Sequence, residues 1–218
     1  MKNIGIILSG GIGSRFNSTI PKQYLNLNDK EIISYSIEAF RKSNKIDDFI
    51  VVVDQSEYLS KNIENKYGVK CIVGGISRNW SLYNAINYIK ERYQCCENIF
   101  IHEAARPFIL SKIIDLYLSF LLEYDAVITT KHITDSLGKE GEQFIDRSKY
   151  YLIQAPEAFK FNLLTKYFSK DSSITATVQQ LPFDIKIKKY YEFYNNYKIT
   201  YPEDLIIAEQ IMNTFRGN

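Results

Sequence analysis

Asn3–Arg15 reads NIGIILSGGIGSR, and this stretch decides the architecture. Its first six residues are almost wholly apolar and rich in isoleucine, the pattern of a strand covered on both faces. The run then breaks into Ser9, Gly10, Gly11, Ile12, Gly13, Ser14 and Arg15. Three glycines within four residues let the backbone approach a ligand and aim N–H groups at an anion. The same alternation continues downstream. Phe49–Val53, Val69–Val73, Asn98–His102 and Ala126–Thr130 predict further buried strands. Between them, Leu82, Ala85, Ile86, Ile89 and Tyr93 form one helical stripe, as do Ile33, Ile37 and Phe40, and later Ile113, Ile114, Leu118 and Leu121. A last helix opens on a capping box, Thr200 with Glu203, and has Pro202 in its first turn. Strand–helix alternation of this kind predicts a doubly wound, three-layer α/β sandwich on a mostly parallel sheet. One domain spans 1–218, and Ile133–Arg147 (ITDSLGKEGEQFIDR) reads as a hairpin-like excursion from it.

Charge narrows the function classes. Lys and Arg total 27 against 25 Asp and Glu, a net charge of +2, too small a field to argue for nucleic acid or a membrane surface. Aromatics reach 14%, but without a basic excess they do not point to base stacking. Cys71, Cys95 and Cys96 are an odd set with two adjacent, so no disulfide framework is expected and a reducing cytoplasm fits. The apolar run Ile4–Leu8 is too short for a signal peptide's apolar region. Nothing approaches the ~20 apolar residues of a membrane span.

Ligands in open parallel sheets bind at the carboxyl ends of strands, and four motifs fall there. The Ser9–Arg15 loop lacks the lysine of a Walker A loop and the third glycine of a dinucleotide fingerprint. Asp54, which also ends a strand, lies about 40 residues on rather than the ~20 that fingerprint expects. Pro21-Lys22-Gln23 follows the loop, so Arg15 and Lys22 bring two cations beside an anion nest, as a triphosphate requires. Gly74-Gly75-Ile76-Ser77-Arg78 ends the third strand and opens a helix with Ser81 in its first turn. His102-Glu103-Ala104-Ala105-Arg106-Pro107 ends the fourth, where Glu103 is placed to hold Mg²⁺ or to pair with Arg106. Lys198, in Asn196–Thr200, stands just before a helix N-terminus that itself favours anions.

These motifs, with QAPEAF at 154–159 and NYKITYPEDL at 196–205, occur in the order of one family. From about Ile4 to Met212 the chain resembles the cytidylyltransferases of isoprenoid, teichoic-acid and capsule synthesis, whose acceptors are methylerythritol phosphate or ribitol phosphate. The resemblance implies a Rossmann-like fold of the nucleotide-sugar transferase type, with a protruding arm, here 133–150, that makes a homodimer. It implies attack by an acceptor phosphate on the α-phosphorus of CTP with Mg²⁺, giving a CDP-alcohol and pyrophosphate. By motif position, Ser9, Gly10, Gly11, Gly13, Gly75, Arg78 and Ser81 would hold the nucleotide, with Ala104 against the cytidine. Arg15 and Lys22 would clamp the triphosphate, and Glu103 would hold the metal. Arg106, Ser136, Arg147, Thr175 and Lys198 would meet the acceptor, with Arg147 reaching from the other subunit. Such transfer needs positioning and charge neutralisation rather than a covalent nucleophile.

The chain departs from the family pattern on the acceptor side. Glu103 stands where aspartate is usual, Ala155 where threonine is usual, and Ala176 where an acid is usual. Those changes lean toward a specialised surface-glycan acceptor. They also leave a second reading open, a catalytically weak nucleotide-binding relative with a regulatory or assembly role. Retention of Arg15, Lys22, Arg106 and Lys198 weighs against it, because a binding module would not need every cation.

Overall fold

In a computed structural model of the chain, residues 2–11, 13, 15, 16, 18 and 20–216 are described; Ile12 and Ser14 of the glycine loop lie outside them. In chain order the elements are β1 (Lys2–Leu8), β2 (Asn26–Leu27), β3 (Lys30–Glu31), α1 (Ile32–Arg41) and β4 (Asp48–Val53). Then come α2 (Gln55–Ser60), α3 (Asn62–Tyr67), β5 (Lys70–Val73), α4 (Arg78–Arg92) and β6 (Cys96–Glu103). The second half holds α5 (Ser111–Phe120), β7 (Ala126–His132), β8 (Tyr151–Lys160), α6 (Phe161–Tyr167), β9 (Ile187–Tyr190) and α7 (Pro202–Arg216). Seven strands make one sheet in the order β5-β4-β1-β6-β8-β7-β9, while β2 and β3 pair alone. The strands β5, β4, β1 and β6 are mutually parallel. β8 runs against both its neighbours, and β9 is parallel to β7.

Both faces of the sheet are covered, which is why its strands read as unbroken apolar runs. Ile7, Val51, Val53, Phe100 and Val127 point to one face, under α1 and α5, with Ile37, Phe40, Ile114 and Tyr117. Their neighbours Ile6, Ile50, Val52, Ile101 and Ile128 point to the other, under α4 and α6, with Leu82, Ile86, Ile89 and Leu164. The three-layer expectation therefore holds. A third, smaller cluster of Phe16, Leu27, Ile32, Phe108, Ile199 and Ala208 packs α7 beside the glycine loop. Among the described residues, no helix is long and apolar enough to cross a membrane.

Three local features differ from expectation. β8 carries no strand signature in the sequence, because Pro156 and Glu157 interrupt it; the ladder with β7 steps from Ile128–Glu157 to Thr129–Gln154 and passes over Ala155 and Pro156. The α7 capping box is shifted by one residue. Asp204, not Glu203, accepts the N–H groups of Thr200 (2.7 Å) and Tyr201 (2.8 Å), because the helix starts at Pro202 and its third residue is Asp204. Between β7 and β8, the excursion contains an isolated bridge, Lys139 to Glu142, and a 3-10 turn at Arg147–Lys149 rather than a regular hairpin.

Candidate active site

Parallel β4, β1 and β6 end on the same edge, and their following loops are tied edge to edge by backbone bonds. Ser9 N–H donates to Val52 O (2.8 Å), Gly74 N–H to Val53 O (2.7 Å) and Ala104 N–H to Leu8 O (3.0 Å). The glycine loop is then bolted to the turn that carries Lys22. Gln23, buried on that 3-10 turn, donates from Nε2 to Ser9 O (2.6 Å) and Gly11 O (3.0 Å). In a trans peptide the carbonyl and the next N–H point opposite ways, so holding Ser9 O inward turns Gly10 N–H away from Gln23. A Cβ built on Gly11 would meet no described atom within 4 Å, so packing among the described residues does not require glycine there. Gly13 takes a left-handed φ of +69°, against the Lys22 backbone. Lys22 is half-buried, and burial first, then repulsion from Lys198 and Arg15, lowers its pKa. Arg15 lies exposed, 5.9 Å from the Tyr201 ring centroid. Lys22, Arg15 and Lys198 therefore lie near enough to one another for their charges to interact.

The second turn is built from α4. Gly75 N–H donates to Ser81 Oγ (3.0 Å), and Asn84 Nδ2 donates to Val73 O (3.3 Å) and Gly74 O (3.2 Å). A Cβ on Gly75 would lie 2.4 Å from Trp80 Cβ, so here glycine is required by close approach. Ser81 holds the turn in shape from beneath. Asp54, the would-be dinucleotide acid, caps α2 by accepting Ser56 N–H (2.9 Å) and Glu57 N–H (3.1 Å).

Glu103, at the end of β6, sits among three cations. Lys198 Nζ is 2.8 Å and Arg106 Nε 3.1 Å from its Oε2, and Arg78 Nε is 3.7 Å from Oε1. Burial alone would raise this carboxyl, but Lys198, Arg106 and Arg78 outweigh it and hold it at about 2. Lys198 arrives because Ile199 N–H donates to Ala105 O (2.9 Å). Asn196 secures the same segment: its carbonyl accepts from Arg106 Nη1 (2.9 Å) and its Nδ2 donates to Ala155 O (2.6 Å). Beside Glu103, His102 is fully buried with Nε2 3.0 Å from Arg106 O, and burial lowers it to about 4. It is a neutral core histidine.

The acceptor-side expectations divide. Arg106, expected at the substrate surface, is buried and spent on Glu103 and Asn196, so it is an internal strut. Ala104 is 1% exposed and turns into the core under β6, so its methyl does not face the loop edge. Arg78, expected at the nucleotide, donates to Thr175 O (2.9 Å), Thr177 Oγ1 (3.1 Å) and Glu157 Oε2 (3.1 Å). Thr175 itself is exposed. Ser136 and Arg147 lie out on the excursion, around a groove of 740 Å³ that also includes Leu137, Phe144 and Ile145. Arg147 donates to the carbonyls of Thr134 and Asp135 in its own segment. Gln23, Asn196 and Glu157 escape the sequence reading as individual residues although their motifs do not, since a polar side chain whose partners lie far along the chain leaves no periodic signal.

A glycine loop and a group of cations at the carboxyl ends of a parallel sheet, with a buried neutral histidine, suit a reaction that asks a protein for positioning and charge. The class is a nucleotidyltransferase. Comparison supplies the particular family: residues 4–214 match the 2-C-methyl-D-erythritol 4-phosphate cytidylyltransferase family, and the chain belongs to it. A relative of that name from Clostridium perfringens (strain SM101) is 33% identical over 226 residues, covering 97% of this chain and 99% of its own. One from Clostridium beijerinckii is 34% identical over 219 residues, covering 94% and 95%. In fold, the chain is similar to the 4-diphosphocytidyl-2C-methyl-D-erythritol synthase of Anaerococcus prevotii, with a TM-score of 0.81 at 23% identity, covering 97% and 96%. The cytidylyltransferase structure from Thermus thermophilus follows at 0.76 and 20%, covering 98% and 100%.

Proposed function

We propose that the chain transfers the cytidylyl group of CTP to the phosphate of 2-C-methyl-D-erythritol 4-phosphate and releases pyrophosphate. The observation that carries this is the family match over residues 4–214, and the mutual nearness of Lys22, Arg15 and Lys198 supports it. An acceptor phosphate oxygen forms a bond to the α-phosphorus as the bond to the bridging oxygen of pyrophosphate breaks. Lys22 and Arg15 stabilise the negative charge that gathers on the leaving group, and Lys198 faces the incoming phosphate. The loop fixes the triphosphate through Gly10 and its neighbours.

Glu103 would be the carboxylate beside a divalent cation held mainly by substrate phosphates, since among the described residues no group of three or more His, Cys, Asp or Glu stands ready to hold one. Its Oε2 takes Lys198 and Arg106, while Oε1 has only Arg78 at 3.7 Å. Mg²⁺ bound there supplies further charge neutralisation at the phosphates. Glu103→Gln keeps the shape and removes the charge, so the Mg²⁺ concentration for half-maximal rate should rise. An unchanged Mg²⁺ dependence would leave Glu103 as a purely structural ion-pair partner.

The acceptor is chosen as methylerythritol phosphate over ribitol phosphate because the relatives above carry that name across nearly their whole length. The excursion at 133–150 serves as the arm of a homodimer, with Arg147 directed to the partner's acceptor site. Pyrophosphate release should be fastest with CTP and methylerythritol phosphate, measured with each nucleoside triphosphate against both polyol phosphates. Faster turnover with ribitol phosphate would move the enzyme to glycan synthesis, and equal rates with ATP or GTP would remove the cytidine assignment.

A further inference from the structure

Three consecutive residues in the first turn of α4 hold a segment nearly a hundred positions away. Arg78 Nη1 donates to Thr175 O (2.9 Å) and Thr177 Oγ1 (3.1 Å). Asn79 Nδ2 donates to Ser172 O and Ile174 O, both at 2.9 Å. Lys170 Nζ stands 3.9 Å over the Trp80 ring. The segment has little backbone bonding of its own: Ser172 N–H reaches Ser169 O at 3.5 Å, and Ile174 N–H goes to the Ser172 hydroxyl at 3.1 Å. Its place is set from outside.

We propose that Arg78 is a positioning residue that fixes the Ser172–Thr177 segment relative to Glu103, with Glu157 as the buried counter-charge that keeps its guanidinium in place. Glu157, on β8, is 2% exposed; its Oε2 takes Arg78 Nη2 at 3.1 Å and its Oε1 accepts Val178 N–H at 3.4 Å. The guanidinium therefore spans a buried carboxylate, a main-chain carbonyl and a hydroxyl, and its remaining nitrogen faces Glu103 at 3.7 Å. Only a planar fork reaches these together; a lysine ammonium is a point charge on a flexible stem. The same helical turn carries Ser81, which shapes the Gly74–Gly75 turn. Arg78 thus ties the exposed Thr175 side to the carboxylate at the centre of the phosphate site. In this arrangement it touches no reacting atom and acts through the Ser172–Thr177 segment, to which its hydrogen bonds run.

The test is Arg78→Lys, which keeps a positive charge beside Glu157 and so avoids the large cost of an unpaired buried acid. The double variant Arg78→Met with Glu157→Gln removes both charges together and guards against misfolding of the first. In both, the amides of Val178 and Gln179 should exchange with solvent roughly tenfold faster, the scale of one lost charge-assisted hydrogen bond, while β1 and β4 amides keep their protection. The KM for methylerythritol phosphate should rise by a similar factor, with CTP affinity at the wild-type value. Wild-type exchange and KM in Arg78→Lys would show that charge balance alone suffices and overturn the proposal. A matching loss of CTP affinity would overturn it too, by placing Arg78 at the nucleotide. The kinetic readout rests on the cytidylyl-transfer reading, and the exchange readout does not. If wild-type protein turns over no acceptor, that reading fails while exchange still decides: faster supports positioning, unchanged overturns it.

Discussion

The cluster around Glu103 and the excursion at 133–150 are both rich in charge and both carry residues expected to meet substrate, yet they are built in opposite ways. Glu103 is enclosed by three cations drawn from α4, from the turn after β6 and from the segment before α7. Each of those segments is pinned by its own backbone bonds, so the cluster is complete within one chain. The excursion is held only by short local bonds, such as Glu142 N–H to Lys139 O (3.0 Å) and Arg147 to the carbonyls of Thr134 and Asp135, and among the described residues no strand of the sheet pins it. Its ion pair between Lys139 and Glu142 is solvent-exposed, of the kind worth little, and Phe144 is 82% exposed at the edge of its groove. An apolar side chain so placed, with Leu137 and Ile145 beside it, is surface that a second molecule has reason to cover. The chain completes the Glu103 cluster by itself and presents the groove of the excursion outward.

The hardest blow to the finished half is the loss of a triphosphate cation. Lys22→Ala and Arg15→Ala should each lower kcat by roughly 10²–10³, the scale of removing one transition-state charge stabiliser, with thermal stability nearly unchanged. Steady-state kinetics beside a melting curve measures both. Normal turnover by folded Lys22→Ala protein would dissolve the distinction, since the cluster would then be structural only.

The outward half breaks differently. Arg147→Ala should be inactive or nearly so as a pure protein while leaving CTP affinity intact. Mixed in equal amounts with Lys22→Ala chains, it should regain about a quarter of the wild-type sites, because each mixed dimer has one site with both defects and one with neither. Activity that never rises on mixing, or a fully active monomer on a sizing column, would make the excursion a plain surface feature.

Two glycines sharpen the finished half at smaller scale. Gly11→Ala puts a methyl where no described atom stands, so the melting temperature should hold while CTP affinity falls roughly tenfold, near the low end of an overpacking penalty. Gly75→Ala drives a methyl into Trp80 and should instead lower stability by about 1–3 kcal/mol. Denaturant melts and CTP titrations separate the two. Equal loss of stability in both would mean that the Gly11 space belongs to the protein.

The same contrast explains what the sequence can show. β1, β4, β5 and β6 are legible because strands covered on both faces need apolar residues at every position, and such runs stand out. β8 is not, since Pro156 and Glu157 sit in its middle for local reasons, a step in the ladder and a buried partner for Arg78. The glycine loop, Lys22, Glu103 and Lys198 can be found as separate motifs. The pairing of Glu103 with Arg106, three residues on, is legible too, but its pairing with Arg78 and Lys198 is hidden, because those two come from positions far apart that only the sheet order brings to one edge. What is not legible is that Arg106 also donates to the carbonyl of Asn196, 90 residues on, so that the guanidinium expected at the acceptor is taken up inside.

The finest probe of the finished half is its proton. Lys22 is held below the usual lysine value by burial and by the nearness of Lys198 and Arg15. With no ligand, the folded chain therefore binds fewer protons than the unfolded one between that lowered value and 10.5, and its stability rises with pH across the window. Binding of a triphosphate reverses the balance, since its negative charge raises the Lys22 value again. The complex then holds a proton that the free protein gives up. CTP affinity should fall as alkaline pH passes through the free Lys22 value, at most about tenfold per pH unit for one linked proton. Calorimetric titrations in two buffers of different ionisation heat would show proton uptake on binding. Lys22→Gln, which cannot titrate, should bind more weakly overall but with a flatter profile. An unchanged slope in that variant would assign the proton to another group and remove Lys22 from the phosphate seat.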